Sequence, residues 1–208
     1  SGDTAGMRFF VGITGASGAP YAARLLDGLR EAGAEIGVCA SASAGEVIAY
    51  EVYRDRELDP AAAVRRFVDE HGGPNATLYG ERDWFSPYAS GSARCDGYVI
   101  CPCSMATIGT IASSGQANLI HRAAGVALKE DRRLVLVPRE TPLSVIHLQA
   151  MLTLRQAGAL MLPAMPAFYT LPESLDDIVD FVAGKALDLL GVEHDLLRRW
   201  GQPRSETT

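Results

Sequence analysis

Histidine and cysteine are scarce, with four of each in 208 residues. No histidine has a His or Cys partner at metal-ligand spacing. The one close cysteine pair, Cys101 and Cys103, is a C-x-C with no second pair to complete a tetrahedral site. That excludes a zinc module, and the spacing is not the C-x-x-C of a dithiol redox motif. Cys39, Cys95, Cys101 and Cys103 form no secreted-type framework, so buried neutral thiols in a reduced, cytoplasmic setting are expected. No apolar run approaches the ~20 residues of a membrane helix. No signal peptide is visible, and Met7 is the expected natural start after a small polar stretch. Basic charge is short as well: 19 Lys and Arg against 25 Asp and Glu give a net charge of −6. A nucleic-acid binder needs a basic face, so that class is set aside.

Hydrophobic residues make up 48% of the chain, enough for a sizeable single core. Short apolar runs at 9–13, 35–40, 97–101, 134–137 and 160–162 read as strands, the third and fourth ended by Pro102 and Pro138. Between them, residues 19–32, 43–50, 60–70, 104–114, 118–129, 144–158 and 174–191 carry helical spacing and helix start or stop residues. Residues 71–93, rich in Gly, Ser and Pro, read as one long loop. Strands alternating with helices predict an α/β fold, a single-domain Rossmann-like parallel sheet with helices on both faces. The domain is expected over residues 7–201, with flexible ends at 1–6 and 202–208.

In such a sheet ligands bind beyond the carboxyl ends of the strands, and the unusual residues cluster in those loops. Gly12, Gly15 and Gly18 punctuate a strand-to-helix turn whose amides suit an anion, but the pattern is neither G-x-G-x-x-G nor a P-loop. Ser17 in that turn either faces a ligand or caps the helix. After the second strand stands Ser41, where a dinucleotide site favours an acid; a mononucleotide is the better fit, and an N-cap the plain alternative. Ser104 and Thr107 open a helix whose free amides suit a phosphate or a flavin edge. Arg139 and Glu140 follow a buried strand, forming either part of a site or a local ion pair. Arg122 and Lys129 fit a phosphate or a solvated helix face. Tyr169 fits a phosphate or a loop anchor, with Lys185 on the last helix. Ser90 lies in a Gly-Ser turn, Glu51 ends an apolar run, and His147 reads as packing. Arg132 and Arg133 read as solvated turn residues.

Taken in order, these segments resemble the UbiX-type flavin prenyltransferase family. The resemblance rests on 14–19 (TGASGA), Ser41, Glu51, 89–92 (ASGS), 101–104 (CPCS), 122–130 (RAAGVALKE), 137–142 (VPRETP), 166–169 (PAFY) and Trp200-Gly201. It implies a flavodoxin-like fold, a dodecamer with sites between subunits, and FMN against Gly15, Ala16, Ser17, Ser41, Ser104, Met105, Ala106, Thr107 and Arg139. It implies a substrate phosphate held by Ser90, Arg122, Lys129, Glu140, Tyr169 and Lys185, partly from neighbouring subunits; relatives may carry Arg at 185, a fork where Lys is a point charge. The implied reaction joins a dimethylallyl group from dimethylallyl phosphate to N5 and then C6 of reduced FMN. The product, prenylated FMN, would serve a UbiD-type decarboxylase. In that scheme Ser17 and Glu51 take the proton from N5, Glu140 and Lys129 serve the phosphate, and Trp84 walls the allylic cation. Clusters of Asp for a metal-bound diphosphate are missing, so a metal-independent transfer is implied.

Two other readings compete. An FMN-dependent decarboxylase would typically need a His in the segment 41–51 and an Asn in 163–169, and neither is there. A non-catalytic flavin carrier would need the flavin loops but not Arg122, Lys129, Glu140 and Tyr169 together.

Overall fold

Each apolar run read above is a strand in the computed structural model, which describes residues 3–197. In chain order the elements are β1 (Arg8–Ile13), α1 (Ala19–Glu31), β2 (Glu35–Ala40), α2 (Ala42–Glu51), α3 (Pro60–Gly72), β3 (Ala76–Tyr79) and β4 (Gly97–Cys103). Then follow α4 (Met105–Ala112), α5 (Leu119–Lys129), β5 (Leu134–Pro138), α6 (Val145–Gln156), β6 (Leu160–Met161) and α7 (Leu175–Leu190). All strand pairs are parallel, in the order β3-β2-β1-β4-β5-β6. This is the doubly wound arrangement: the chain winds outward from β1 to one side and from β4 to the other. Trp200, Gly201 and the tail expected at 202–208 lie outside the described residues.

Two expectations need correction. Residues 71–93 are not one loop, because they contain the edge strand β3 and a 3-10 turn at Pro87–Ala89. Only four residues long and half exposed, β3 shows neither an apolar run nor enough alternation to be read. Nor does Pro102 end its strand. β4 continues to Cys103 across a register irregularity after Ile100. Proline removes a donor but keeps its acceptor, and the Pro102 carbonyl still receives the Thr14 amide at 3.2 Å.

Side chains alternate across the sheet with the period-2 rule. Phe9, Val11 and Ile13 of β1 face a core built with α1, α2, α3 and α7, through Leu25, Leu26, Ile48, Phe67 and Leu187. Phe10 faces the other core, built with α4, α5 and α6, through Ile108, Ile120, Ala124 and Leu154. Five helix starts, those of α3, α4, α5, α6 and α7, are capped by their own side chains: Asp59, Ser104, Asn118, Ser144 and Ser174 each accept an amide of the first turn. His147 completes a capping box with Ser144 rather than packing. α6 is thinly covered, with Leu154 its one fully buried residue and Val145, Ile146, Leu148 and Leu152 exposed.

Outside the cores, α1, α3 and α7 are joined through Asp27, whose side chain is 14% exposed. Its carboxylate meets His71 Nδ1 at 2.9 Å, Arg24 at 3.2 Å and Arg30 at 3.4 Å, and Arg24 continues to Asp180 at 2.6 Å. Burial pushes the Asp27 carboxyl up, but the bonds from His71 and Arg24 and the charge of Arg30 together hold it below its ordinary value. A carboxylate with a lowered folded-state pKa contributes stability above its unfolded pKa and loses it as pH falls through the folded value. Asp27→Asn is therefore expected to lower stability by about 2 kcal/mol at pH 7, with the deficit shrinking once pH falls below about 4. Urea melts at both pH values check this; a variant as stable as its parent at pH 7 would show that the network contributes nothing.

Candidate functional site

Because every strand points the same way, the loops after β1, β2, β4 and β5 gather at one edge of the sheet. They meet where the strand order divides, between β1 and β4. Thr14, 3% exposed, holds that division closed. Its hydroxyl donates to the Pro102 carbonyl at 2.7 Å and accepts from the Ser104 amide at 2.9 Å, tying the β1 and β4 loops together.

The glycine-rich turn does receive an anion, and it is the protein's own. α1 starts at Gly18, with φ 135° and no side chain to cap the helix. Glu51, the last residue of α2, supplies the missing acceptor. Its carboxylate receives Ser17 Oγ at 2.6 Å, the Gly18 amide at 2.8 Å and the Ala19 amide at 3.1 Å. Ser17 thus does not cap α1; it donates to a carboxylate 34 positions away. Nor does Ser41 cap α2 through its side chain, which stands 3.3 Å from Ser43 Oγ. Gly15 and Ala16 complete the turn, and any side chain at 15 would run into Ser43. Across the division Ser104 does cap α4, accepting from the Thr107 amide at 3.2 Å with the Thr107 hydroxyl at 2.9 Å. Met105 and Ala106 fill the first turn.

Arg139 reaches from β5 past the end of β4 and donates to the Ser17 carbonyl at 3.3 Å. Glu140 beside it is exposed and accepts its neighbour's Thr141 amide at 3.0 Å, so the two form no local ion pair. Tyr21, which sequence reasoning passed over, packs its ring beside Gly18, close enough for Arg139 and Glu51 both to act on it. Its half-buried phenol is pushed up by burial and by Cys101, while Arg139 pulls the other way. Burial also pushes the Cys39 and Cys101 thiols up to about 12 and Cys95 up to about 11, so the buried thiols are neutral, as expected. No group of three or more His, Cys, Asp or Glu among the described residues is placed to hold a metal ion.

The remaining candidates stand elsewhere. Ser90 lies in the turn that descends along the α5 face toward the start of β4, its hydroxyl 2.8 Å from Ser92 Oγ. Arg122 on α5 donates Nε to the Ala89 carbonyl at 3.1 Å and a terminal nitrogen to Gln116 at 2.7 Å. Lys129, in the last turn of α5, pairs with Glu130 at 2.7 Å. Because α5 leads into β5, Lys129 sits at the amino edge of the sheet. A strand the length of β4 spans about 20 Å, which separates Lys129 from Ser17 and Glu51. Tyr169 and Lys185 lie on the opposite face, with α7: Tyr169 meets Phe181 edge-on at 6.2 Å, and Lys185 stands 5.9 Å over the same ring. Trp84, 43% exposed, is beyond the carboxyl end of β3 in a segment fixed by the bond from the Leu119 amide to the Glu81 carbonyl at 2.8 Å. One chain thus assembles the flavin-loop candidates and leaves Ser90, Arg122 and Lys129 apart from Tyr169 and Lys185.

The flavoprotein family model matches residues 1–187. A flavin prenyltransferase UbiX of Pseudomonas aeruginosa is 46% identical over 198 residues, covering 94% of each chain. The chain belongs to the UbiX-type flavin prenyltransferase family. Among solved structures, AnUbiX (PadA1) in complex with FMN and dimethylallyl pyrophosphate superposes with a TM-score of 0.84 at 38% identity, over 96% of this chain and all of the other. A dodecameric FMN-dependent UbiX-like decarboxylase from Escherichia coli O157:H7 gives the same TM-score, 0.84, at 42% identity over 94% of this chain and 100% of that one.

Family membership explains the conjunction of loops, while the contacts that hold them escaped the sequence. Thr14 and Tyr21 stood inside segments already singled out, but nothing in their spacing marks a buried clip or a phenol under the influence of two charges. Thr14→Val removes the hydroxyl from both partners at a buried position and is expected to cost about 1–3 kcal/mol. Thr14→Ser keeps the hydroxyl and should lose well under half of that. Chemical denaturation of the two variants decides the matter; equal losses would mean that the methyl group, not the clip, stabilises this junction.

Proposed function

We propose that this protein transfers a dimethylallyl group from dimethylallyl phosphate to N5 and C6 of reduced FMN, releasing prenylated FMN for a UbiD-type decarboxylase. The observation that carries the reading is the Ser17 hydroxyl held on the Glu51 carboxylate at 2.6 Å, in the loop that the resemblance assigns to FMN. Reduced FMN would supply the nucleophile; the chain must remove the N5 proton and draw away the leaving phosphate. A serine hydrogen-bonded to a carboxylate can relay such a proton. The same carboxylate is fixed by two helix amides, so the relay is oriented before any ligand arrives.

The residues present fit a mononucleotide. The helices that follow β1, β2 and β4 begin beside the switch point. Glu51 fills the start of α1 and Ser104 caps α4, whereas the Ser41 hydroxyl does not cap α2 and is engaged by Ser43 Oγ alone, at 3.3 Å, a contact that a ligand can replace. Gly15 lets the loop pack directly against Ser43, where any side chain would clash. Gly15, Ala16, Ser17, Ser41, Ser104, Met105, Ala106, Thr107 and Arg139 are assigned to FMN on this basis. Ser90, Arg122, Lys129, Glu140, Tyr169 and Lys185 are assigned to the substrate phosphate, with Lys129 and Glu140 also catalytic and Trp84 as the aromatic wall. Since these stand at different edges and faces of one chain, a complete site needs more than one copy. The exposed apolar residues of α6 supply a surface for such assembly, and a dodecamer, as in the E. coli relative, is the inferred state. The transfer is read as metal-independent and cytoplasmic. Among the described residues no helix is long and apolar enough to cross a membrane. The whole of residues 7–201 is read as one flavoprotein domain.

The decarboxylase reading draws on the description of the E. coli relative and is separated by one experiment. Anaerobic incubation with reduced FMN and dimethylallyl phosphate should yield a flavin heavier by one five-carbon unit in mass spectrometry. Unmodified FMN from a protein that binds it would sink the transferase reading. Glu140→Gln and Glu51→Gln should each retain FMN while lowering turnover by roughly 10²-fold or more; unchanged turnover would remove those residues from the mechanism.

A further inference from the structure

Arg132 looks from sequence like a solvated turn residue between α5 and β5. The structure places it otherwise. Its guanidinium is a fork: one terminal nitrogen donates to the Tyr98 hydroxyl at 2.8 Å, and the other donates to the Gly91 carbonyl. The first partner is rigid. Tyr98 belongs to β4, is 0% exposed, and has its amide bonded to the Arg133 carbonyl at 2.9 Å. The second partner is the centre of the Ser90–Ser92 turn. Arg132 is thus a strut between a core post and a surface loop.

The turn is held at both ends by this means. Arg122 takes the Ala89 carbonyl at 3.1 Å, one residue before Ser90, and Arg132 takes the Gly91 carbonyl, one residue after it. With both carbonyls committed to arginines, the Ala89–Ser90 and Gly91–Ser92 peptides are oriented, and the Ser90–Gly91 peptide is held between them. The turn also lies close against α5: a side chain added at Gly91 would strike Glu130 and come within 3.0 Å of Lys129 Nζ. Ser90, Arg122 and Lys129 are thereby held on one surface, although none of them touches Arg132 in a way that would explain its charge.

We infer that Arg132 is a positioning residue for the phosphate-binding turn: it fixes Ser90 relative to Arg122 and Lys129 and so sets the affinity for the substrate phosphate without touching it. The inference rests on the assignment of Ser90, Arg122 and Lys129 to that phosphate. A planar fork spanning two acceptors is what lysine cannot replace, since an ammonium is a point charge on a flexible stem. Geometry and charge can therefore be separated. Arg132→Lys keeps the charge and loses the fork, Arg132→Met loses both, and Tyr98→Phe removes one anchor while leaving Arg132 in place.

The test is steady-state kinetics of the assembled enzyme with dimethylallyl phosphate, with inorganic phosphate as a competitive inhibitor and FMN affinity measured beside it. Arg132→Lys and Arg132→Met are each expected to raise KM and the phosphate inhibition constant together by about tenfold or more, the range of a lost charged hydrogen bond. kcat and FMN affinity should stay within about twofold, and Tyr98→Phe should move KM the same way by less. Arg132→Lys indistinguishable from the parent would overturn the proposal, since charge alone would then suffice. So would a lowered melting temperature with an unaltered KM, the mark of a purely structural residue. Arg122→Ala is the control on the underlying reading: if it leaves KM unchanged, the phosphate assignment itself falls and takes the role of Arg132 with it. If Arg122→Ala raises KM and the Arg132 variants do not, only the positioning role falls.

Discussion

The Glu51 carboxylate at the start of α1 is the contact on which the candidate site depends. A helix beginning at glycine exposes amides that carry partial positive charge and have no intrahelical partner. In many doubly wound folds a ligand phosphate fills that place. Here the end of α2 fills it, with bonds to Ser17, Gly18 and Ala19. Two consequences follow from one contact. α2 is fixed across the top of the sheet, and the Ser17 hydroxyl is turned onto a carboxylate. A pair suited to move a proton therefore arises from the same bonds that cap the helix, so structural and chemical roles cannot be separated by removing the side chain outright.

A second constraint is directional. Parallel strands place every βα loop at one edge, which is why the flavin-loop candidates converge without any long-range design. The same rule sends the chain back along the helices to the opposite edge. Lys129 and Arg132, at the junction of α5 with β5, are unavoidably far from Ser17 in the same copy. α5 and α7 also cover opposite faces, each buried in its own core. Cations on α5 and the Tyr169–Lys185 pair near α7 meet around one ligand only if copies share it. On the proposed assignment of these residues to one phosphate, assembly is a requirement of topology rather than an addition to it.

How much of this was legible in the sequence depended on length scale. Continuous apolar runs such as Leu134–Val137 and the spacing of Leu25, Leu26 and Leu29 specified strands and helices directly, because burial on both sheet faces leaves an unmistakable pattern. β3 was not legible: an edge strand of four residues, with no buried position and no alternation, resembles loop. Pro102 misled because a proline's missing donor says nothing of its acceptor, and the Thr14 clip uses the acceptor. Candidate site residues were singled out by order and resemblance, but their pairings were not legible. Ser17 and Glu51 are separated by a helix, a strand and another helix, and no local rule joins them. Arg132 was lost for a related reason, since a charged residue in a turn reads as solvated unless its distant acceptors are known.

That last case bears on how cationic sites should be read. Arg122, Lys129 and Arg132 carry like charge within eleven positions of one another, and by charge alone all three suit an anion. Their bonding separates them. Lys129 is exposed and its one close partner is a neighbouring carboxylate that an incoming phosphate could displace. Arg122 has committed Nε to the Ala89 carbonyl and a terminal nitrogen to Gln116. Arg132 has committed both terminal nitrogens, one of them to a buried hydroxyl, and could reach a ligand only by abandoning both acceptors. Leaving a buried hydroxyl without its partner costs about 1–3 kcal/mol, comparable with what one contact to phosphate would return. The balance favours keeping Arg132 where it is, so its influence on a phosphate passes through the backbone it holds.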